Sequence, residues 1–388
     1  MKSSKPQFVG EKQLLENRVE YVRGVTYKAA VDLHEELDDS SYVLLRANNI
    51  QDGKLRFDDV QYVDCAKVKP KQLLRRGDIL LCASSGSKGL VGKAALVRES
   101  MPVTFGAFCC VLRPKENEAE YLGHYFQSRQ YRRAIEEVCS GSNINNLKAA
   151  NFLSLVVPHY DDDYTRAISA LFDSIDVQIE QAKDQISNLD SLVKSRFVEM
   201  FGDPVANPMG WGVSTIKKTA VTYGDGPFGS NLKSADYVPS GVRVIRLGNV
   251  MRGRFSEKDQ SYVSYEKFES LKRYECIPGE VIIATLGDPI LRACIVPDFG
   301  VPSIHKADCM YYETDKEKVL PVFAMCAINQ PSMLRRALLY SHGQTRARIN
   351  STQAGNLPMV LPPIALQKEF VSFVSQVDKS RFAWRVHM

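Results

Sequence analysis

LLRANNIQDGKL at 44–55 returns as VIRLGNVMRGRF at 244–255, with Arg46, Asn49 and Gly53 falling on Arg246, Asn249 and Gly253. Working outward, LRRGDILLCA (74–83) matches ECIPGEVIIAT (275–285), each reading as a turn, a glycine, an acid and then a buried strand. KAALV (93–97) matches RACIV (292–296), and GSNINNLKAANFLSLVVP (141–158) matches GQTRARINSTQAGNLPMVLP (343–362). The offset stays near 200 residues. That period is far too long for a solenoid and marks a whole domain, with its connector, written twice.

Each copy closes on a short apolar strand, a proline and a helix. After Pro158, Ile168, Phe172, Ile175, Ile179, Ala182, Ile186, Leu189, Val193, Arg196 and Met200 step alternately by four and three. This is a heptad seam with one polar interruption, Arg196, and it predicts a coiled-coil helix. At ~1.5 Å per residue, some 38 residues make a rod of about 57 Å. FGDP (201–204) stops it. After Pro362–Pro363 the steps recur at Leu366, Phe370, Phe373, Val377, Ser380 and Trp384. Two independent amphipathic helices are the plainer reading; the repeat makes the helices equivalent and favours one seam meeting the other. The preceding segments mix β-rich runs (DILLCA, GAFCCVLR, GEVIIAT, VRVIRLGNV) with helical stretches at 121–139 and 320–340. The expected fold is α+β, with a largely antiparallel or mixed sheet in each of two pseudo-repeated domains. The expected divisions are 1–160, a central helix 161–201, 202–362, and a short helix 363–388.

The chain of 388 residues has 44% hydrophobic content and no apolar run long enough to span a bilayer, and MKSSKPQFVG lacks the apolar core of a signal peptide. The expected location is the cytoplasm. Nine cysteines without a Cys-x-x-Cys pair fit neither a zinc site nor a disulfide framework, and read as buried thiols. The net charge is only +5, but 161–200 holds nine acids against four bases, so the remainder carries +10. A polyanion should therefore meet the flanking parts rather than the central helix.

Catalytic signatures are missing. The only Asn-Pro, Asn207–Pro208, is followed by Met209, so the Asn-Pro-Pro-aromatic loop of an amino-methyltransferase is not formed. Pro297–Asp298 lacks the acid-x-Lys partner of a metal nuclease, and the six histidines show no ligand pairing on one helix face. GSKGLVGKAA (86–95) approaches a phosphate-binding loop, but its spacing is off by one and Ala94 stands where Ser or Thr would hold magnesium.

The loops do carry groups that read DNA: Arg and Lys suit guanine edges, Asn and Gln suit adenine, and small residues admit backbone to phosphate. In the first copy the candidates are Arg23, Lys28, Ser84, Ser85, Ser87, Lys88, Lys93, Asn143, Asn145 and Lys148. In the second they are Ser230, Lys233, Arg292, Thr345, Arg346 and Arg348. SSGSKG (84–89) reads equally as a solvent loop. NINN (143–146) and TRAR (345–348) occupy equivalent places, which favours contact with DNA. Asn49 and Asn249, shared by both copies, read as turn or packing residues, because readers of different bases should differ.

RGVTYK (23–28), LLRANNI (44–50), RRGDILLCASSGS (75–87), KSRFVEMFGDP (194–204), DGPFGSNLKSADY (225–237) and VRVIRLGNV (242–250) resemble the specificity subunits of type I restriction-modification enzymes. The resemblance covers nearly the whole chain. It implies two target recognition domains, each reading half of a bipartite DNA site, and helices that act as an antiparallel spacer and dock methyltransferase subunits. Restriction subunits join through those. It implies adenine methylation by the partner, which holds S-adenosylmethionine, and no catalytic centre, cofactor or metal in this chain. Ile168, Phe172, Ile175, Ile179, Ile186, Leu189, Val193, Phe370, Phe373 and Val377 would form the seam. The chain departs from the family in its short second helix, in lacking a second KSRFVEMFGDP ending, and in lacking a counterpart to Gly210-Trp211-Gly212 before the first domain. A shortened or rearranged member is expected. A coiled-coil adaptor that never touches DNA, or an enzyme with a decayed phosphate loop or nuclease motif, are the rival readings.

Overall fold

The computed structural model describes residues 11–87, 89–115, 117–140, 146–341 and 347–386. It divides into two compact units, 1–179 and 180–388, with the division inside one continuous helix, Asp162–Phe201.

In the first unit, ILLC (Ile79–Cys82) is buried on both faces. Successive side chains of a strand point to opposite faces. Ile79 and Leu81 accordingly enter one cluster with Tyr121, Leu122, Tyr125, Tyr131 and Ile135, where helices Ala119–Tyr125 and Arg129–Ser140 cover the sheet. Leu80 and Cys82 enter another with Leu45, Val103 and Phe105 of a second sheet. Ile79–Cys82 lies between Cys109–Pro114 and Ala94–Leu96, with Val19–Arg23 outermost. The second sheet runs Val103–Phe105, Ser41–Leu45, Gln61–Asp64, Leu33–His34, and its first pair is parallel.

The second unit repeats this plan. Val281–Ala284 lies between Cys309–Thr314 and Arg292–Ile295, with Ala220–Gly224 outermost. Val281 and Ile283 face the helix-covered cluster, and Ile282 and Ala284 the opposite one. Its five-stranded second sheet again contains one parallel pair, Val242–Ile245 with Ser303–His305. The fold is α+β in both copies, each with one antiparallel and one mixed sheet.

The repeated motifs close loops. Asn49 is buried; its Oδ1 accepts from Arg46 N (2.8 Å) and its Nδ2 donates to Arg56 O and Asp59 O (2.9 and 2.8 Å). Asn249 does the same with Arg246 N, Ser256 O and Asp259 O at 2.8, 2.8 and 2.7 Å. Arg46 and Arg246 then pair with Asp59 and Asp259, both at 2.9 Å. The acid after the shared glycine is buried: Asp78 takes a two-pronged Arg113 at 2.7 and 2.8 Å, and Glu280 takes Lys316 and the Thr314 N–H. The cysteines are all free thiols, seven of them buried, and burial pushes the Cys82 thiol up to about 11.

Within the second unit, the C-terminal helix Ile364–Val386 runs antiparallel to the end of the long helix, since Arg196 pairs with Glu369 (3.3 Å) and Asp190 with Arg381. Val193, Phe370 and Val377 are buried there, and Leu189 and Phe373 are partly covered. The seam does not continue through Arg196 and Met200 as its main line. Phe197 and Phe201 are fully buried, with rings 5.6 and 5.5 Å from Phe370 and 5.5 and 4.8 Å from Phe323. The helix end thus buries its aromatic face in the domain core as well as on the other helix, while Arg196 lies over the Phe373 ring. Ile186 is half-buried, and Ile168 packs on the first unit's core. Phe172, Ile175 and Ile179 are 38, 41 and 38% exposed. No helix among the described residues is long and apolar enough to cross a membrane.

Candidate nucleic-acid interface

The central strand of each copy ends where two candidate loops meet. In the first, Leu147 N donates to Ala83 O (2.7 Å) and Ser84 bridges antiparallel to Asn146, so the SSGS turn lies beside the segment entering Lys148. Ser84 and Ser85 are half-buried, Ser87 is exposed and donates its N–H to Ser85 Oγ (3.2 Å). Lys148 is exposed at the start of helix Ala149–Leu153, and Lys93, on the return strand, is half-buried. Arg23 and Lys28 are exposed.

In the second copy Ile349 N donates to Thr285 O (3.0 Å), Gly287 N to Ala347 O (3.2 Å), and Leu286 bridges to Arg348. Arg348 is 48% exposed; its Nε lies 2.7 Å from Asp308 Oδ1, and its guanidinium lies 5.6 Å from the Phe228 ring centre. Asp225 lies beside this pair. Burial raises its carboxyl pKa, the Gly226 N–H opposes, and the Asp308 charge raises it further. Arg292 is half-buried with Nε on Val250 O (3.0 Å) and Nη1 on Pro289 O, and burial lowers its pKa. Two of its N–H groups are thereby committed to backbone, which makes it a brace of the loop rather than a free reader. Lys233 is exposed. Lys88, Asn143, Asn145, Thr345 and Arg346 lie outside the described residues, as does the side chain of Ser230.

Phe108, Asp308, Asp225, Phe228 and Lys306 escaped the sequence reading. Lys306 Nζ donates to Tyr237 Oη (2.8 Å). The signal for 108 and 308 was available, because the two positions are 200 apart and differ in chemistry.

One group of potential metal ligands exists among the described residues: His124, Asp173 and Asp176. His124 lies some 50 residues before the two aspartates, which stand three apart on the long helix, so a helix-face reading could not join all three. His124 Nε2 lies 3.3 Å from Asp173 Oδ1 and Nδ1 3.7 Å from Asp176 Oδ2, but Arg98 Nη2 reaches the same Asp173 oxygen at 3.2 Å. The guanidinium already supplies positive charge at that oxygen.

The arrangement defines a class: a tandem α+β protein whose copies each present a cluster of polar loops at the end of a buried strand. No family model matches the chain. It is 28% identical to the type I restriction enzyme StySPI specificity subunit of Salmonella potsdam, over 92% of this chain and 79% of that protein. It is 26% identical to the EcoKI specificity subunit of Escherichia coli strain K12, with the same coverage. In fold it is similar to the S subunit of a type I restriction-modification system from M. genitalium, with a TM-score of 0.52, 14% identity, and 99 and 94% of the two chains covered. The chain thus resembles type I specificity subunits in sequence along nearly its whole length, and in fold.

Proposed function

We propose that this chain reads DNA for a type I restriction-modification complex, each domain recognising one half of a bipartite site and directing adenine methylation or cleavage by partner subunits. The observation that carries the reading is the repeated pairing of loops: Ser84 with Asn146, and Leu286 with Arg348. Two equivalent platforms holding different polar side chains suit two different half-sites. Phosphate contacts would fix register, and base-edge contacts would specify sequence. The chain contributes no catalytic group; the methyltransferase partner holds S-adenosylmethionine, restriction subunits join through it, and the complex works in the cytoplasm. The half-covered seam at Phe172, Ile175 and Ile179 is a surface on which such a partner would dock. Methylome sequencing of the host with and without this gene tests the reading. Loss of one bipartite adenine-methylation motif is expected; an unchanged methylome, together with no duplex binding by the assembled complex, would favour an adaptor that never touches DNA.

A further inference from the structure

The turn after the parallel strand, Gly106–Phe108 in the first copy and Lys306–Asp308 in the second, is closed by matching backbone bonds and ends in unlike side chains. In the first copy Gly106 N donates to Leu45 O (2.9 Å), Cys109 N to Gly106 O (2.8 Å), and Val25 N to Phe105 O (2.7 Å). In the second Lys306 N donates to Ile245 O (2.9 Å) and Cys309 N to Lys306 O (3.1 Å). A glycine backs each turn: a Cβ on Gly24 would stand 2.2 Å from Gly106 O, and one on Gly226 2.4 Å from the Lys306 carbonyl carbon. The turn is then tied to the root of the candidate loop. Phe108 O accepts from Ala83 N and Ser84 N (2.9 and 3.0 Å), and Asp308 O accepts from Thr285 N (2.9 Å). These bonds use backbone alone and none calls for a particular side chain at 108; at 308 the backbone turns at φ +64°, in the left-handed region that aspartate tolerates better than most residues.

What varies is informative. Asp308 holds Arg348, the candidate base reader, by its Nε at 2.7 Å. Phe108, at the matching place and bonded through its carbonyl to Ala83 and Ser84, is 71% exposed. Exposing a phenyl ring costs the free chain solubility and gains it no packing. In a DNA groove, an apolar side chain recognises the thymine C5-methyl, the one apolar feature of the major-groove edge.

We propose that position 108/308 determines specificity: Phe108 contacts a thymine methyl in the half-site read by the first domain, and Asp308 positions Arg348 in the second. The proposal rests on the DNA-reading function above. The test uses the chain assembled with its methyltransferase subunits and a duplex carrying the motif mapped by methylome sequencing. Each thymine of the duplex is replaced in turn by deoxyuridine, which removes only the methyl. One replacement, in the first domain's half-site, should weaken binding about fourfold, the worth of one buried methyl. In Phe108→Ala that penalty should vanish, while replacements in the other half-site behave as in the unmodified chain. A half-site with no thymine on either strand, a fourfold penalty that persists in Phe108→Ala, or a Phe108→Ala loss equal on thymine and deoxyuridine duplexes would each overturn the assignment. Failure of the unmodified complex to prefer its motif over scrambled duplex would instead overturn the DNA-reading function itself.

Discussion

Replacing Arg348 by alanine separates base reading from phosphate anchoring and from folding. The Arg348–Asp308 pair joins a half-exposed arginine to an aspartate at 2.7 Å. Asp308 is only 17% exposed, so removing the arginine leaves a largely buried carboxylate without its cation at a cost of ~1–3 kcal/mol, and the second domain should melt several degrees lower while staying folded. With Nε held by Asp308, the Nη groups remain for a ligand, and an arginine forked on guanine O6 and N7 contributes ~1–3 kcal/mol of discrimination. That predicts a loss of about fivefold to 160-fold, confined to the half-site read by the second domain. Fluorescence anisotropy at fixed salt, on the intact motif and on duplexes with either half scrambled, measures it. Arg348→Lys keeps the charge and loses the fork, so it should lose discrimination nearly as fully. Equal losses on specific and random DNA, with the salt slope reduced by about one, would make Arg348 a phosphate anchor and refute the base-reading argument.

The purified chain should transfer no methyl group from S-adenosylmethionine to DNA, and adding the methyltransferase subunit should restore transfer; robust activity from the chain alone would sink the proposed division of labour. Phe370→Ala, which empties a fully buried site between Phe197 and Phe201, should cost about 3–5 kcal/mol in denaturant unfolding of the second unit, whereas Phe172→Ala, at a 38% exposed ring, should cost less than about 1 kcal/mol. His305 is buried, and burial depresses its pKa to about 4 against the opposing bond to Cys309 O. Its neutral form therefore supports folding in full above pH ~6.5, and that support is lost as pH falls toward 4, by at most about 3 kcal/mol. His305→Phe, the residue found at the equivalent buried Phe105, should flatten this acid limb in melts between pH 7 and 4. Seven residues inserted after Leu189 keep the heptad register and add about 10 Å of helix; methylated-site sequencing should then show the unspecified gap longer by about three base pairs at ~3.4 Å each, and an unchanged gap with retained activity would remove the helix as the ruler.

Much of the fold was legible because it was written twice. Arg46, Asn49 and Gly53 recur at 246, 249 and 253 because a buried asparagine and an arginine–aspartate pair close the same loop in each copy. The long helix was visible in its seam, but the register of its last turns was not. Heptad spacing favoured Arg196 and Met200, whereas Phe197 and Phe201 are buried, because the helix end is claimed by a domain core whose other walls, Phe323 and Phe370, lie more than a hundred residues away. The loops were legible as polar clusters. Their pairing was not, since it depends on strands carrying Ala83 to Leu147 and Thr285 to Ile349. Arg292 looked like any loop cation, and only its bonds to Val250 O and Pro289 O show it bracing the chain.

The duplication also acts as an internal control on which side chains the fold requires. Where both copies keep a residue, as at Asn49 and Asn249 or Gly24 and Gly226, the structure supplies a buried bond or a backbone contact closer than a Cβ allows. Where they differ inside the core, as at Phe105 and His305, both side chains are still buried and packing constrains the exchange. Positions 108 and 308 belong to neither group. Their turns are closed by the same backbone bonds, with only Asp308 at a left-handed φ of +64°; their side chains share neither size nor charge, and one is an exposed ring while the other pairs with an arginine. Divergence on turns closed and anchored by the same backbone bonds, beside the paired loops, is what two domains reading different half-sites require. An unconstrained surface would be expected to diverge in loop length and backbone as well.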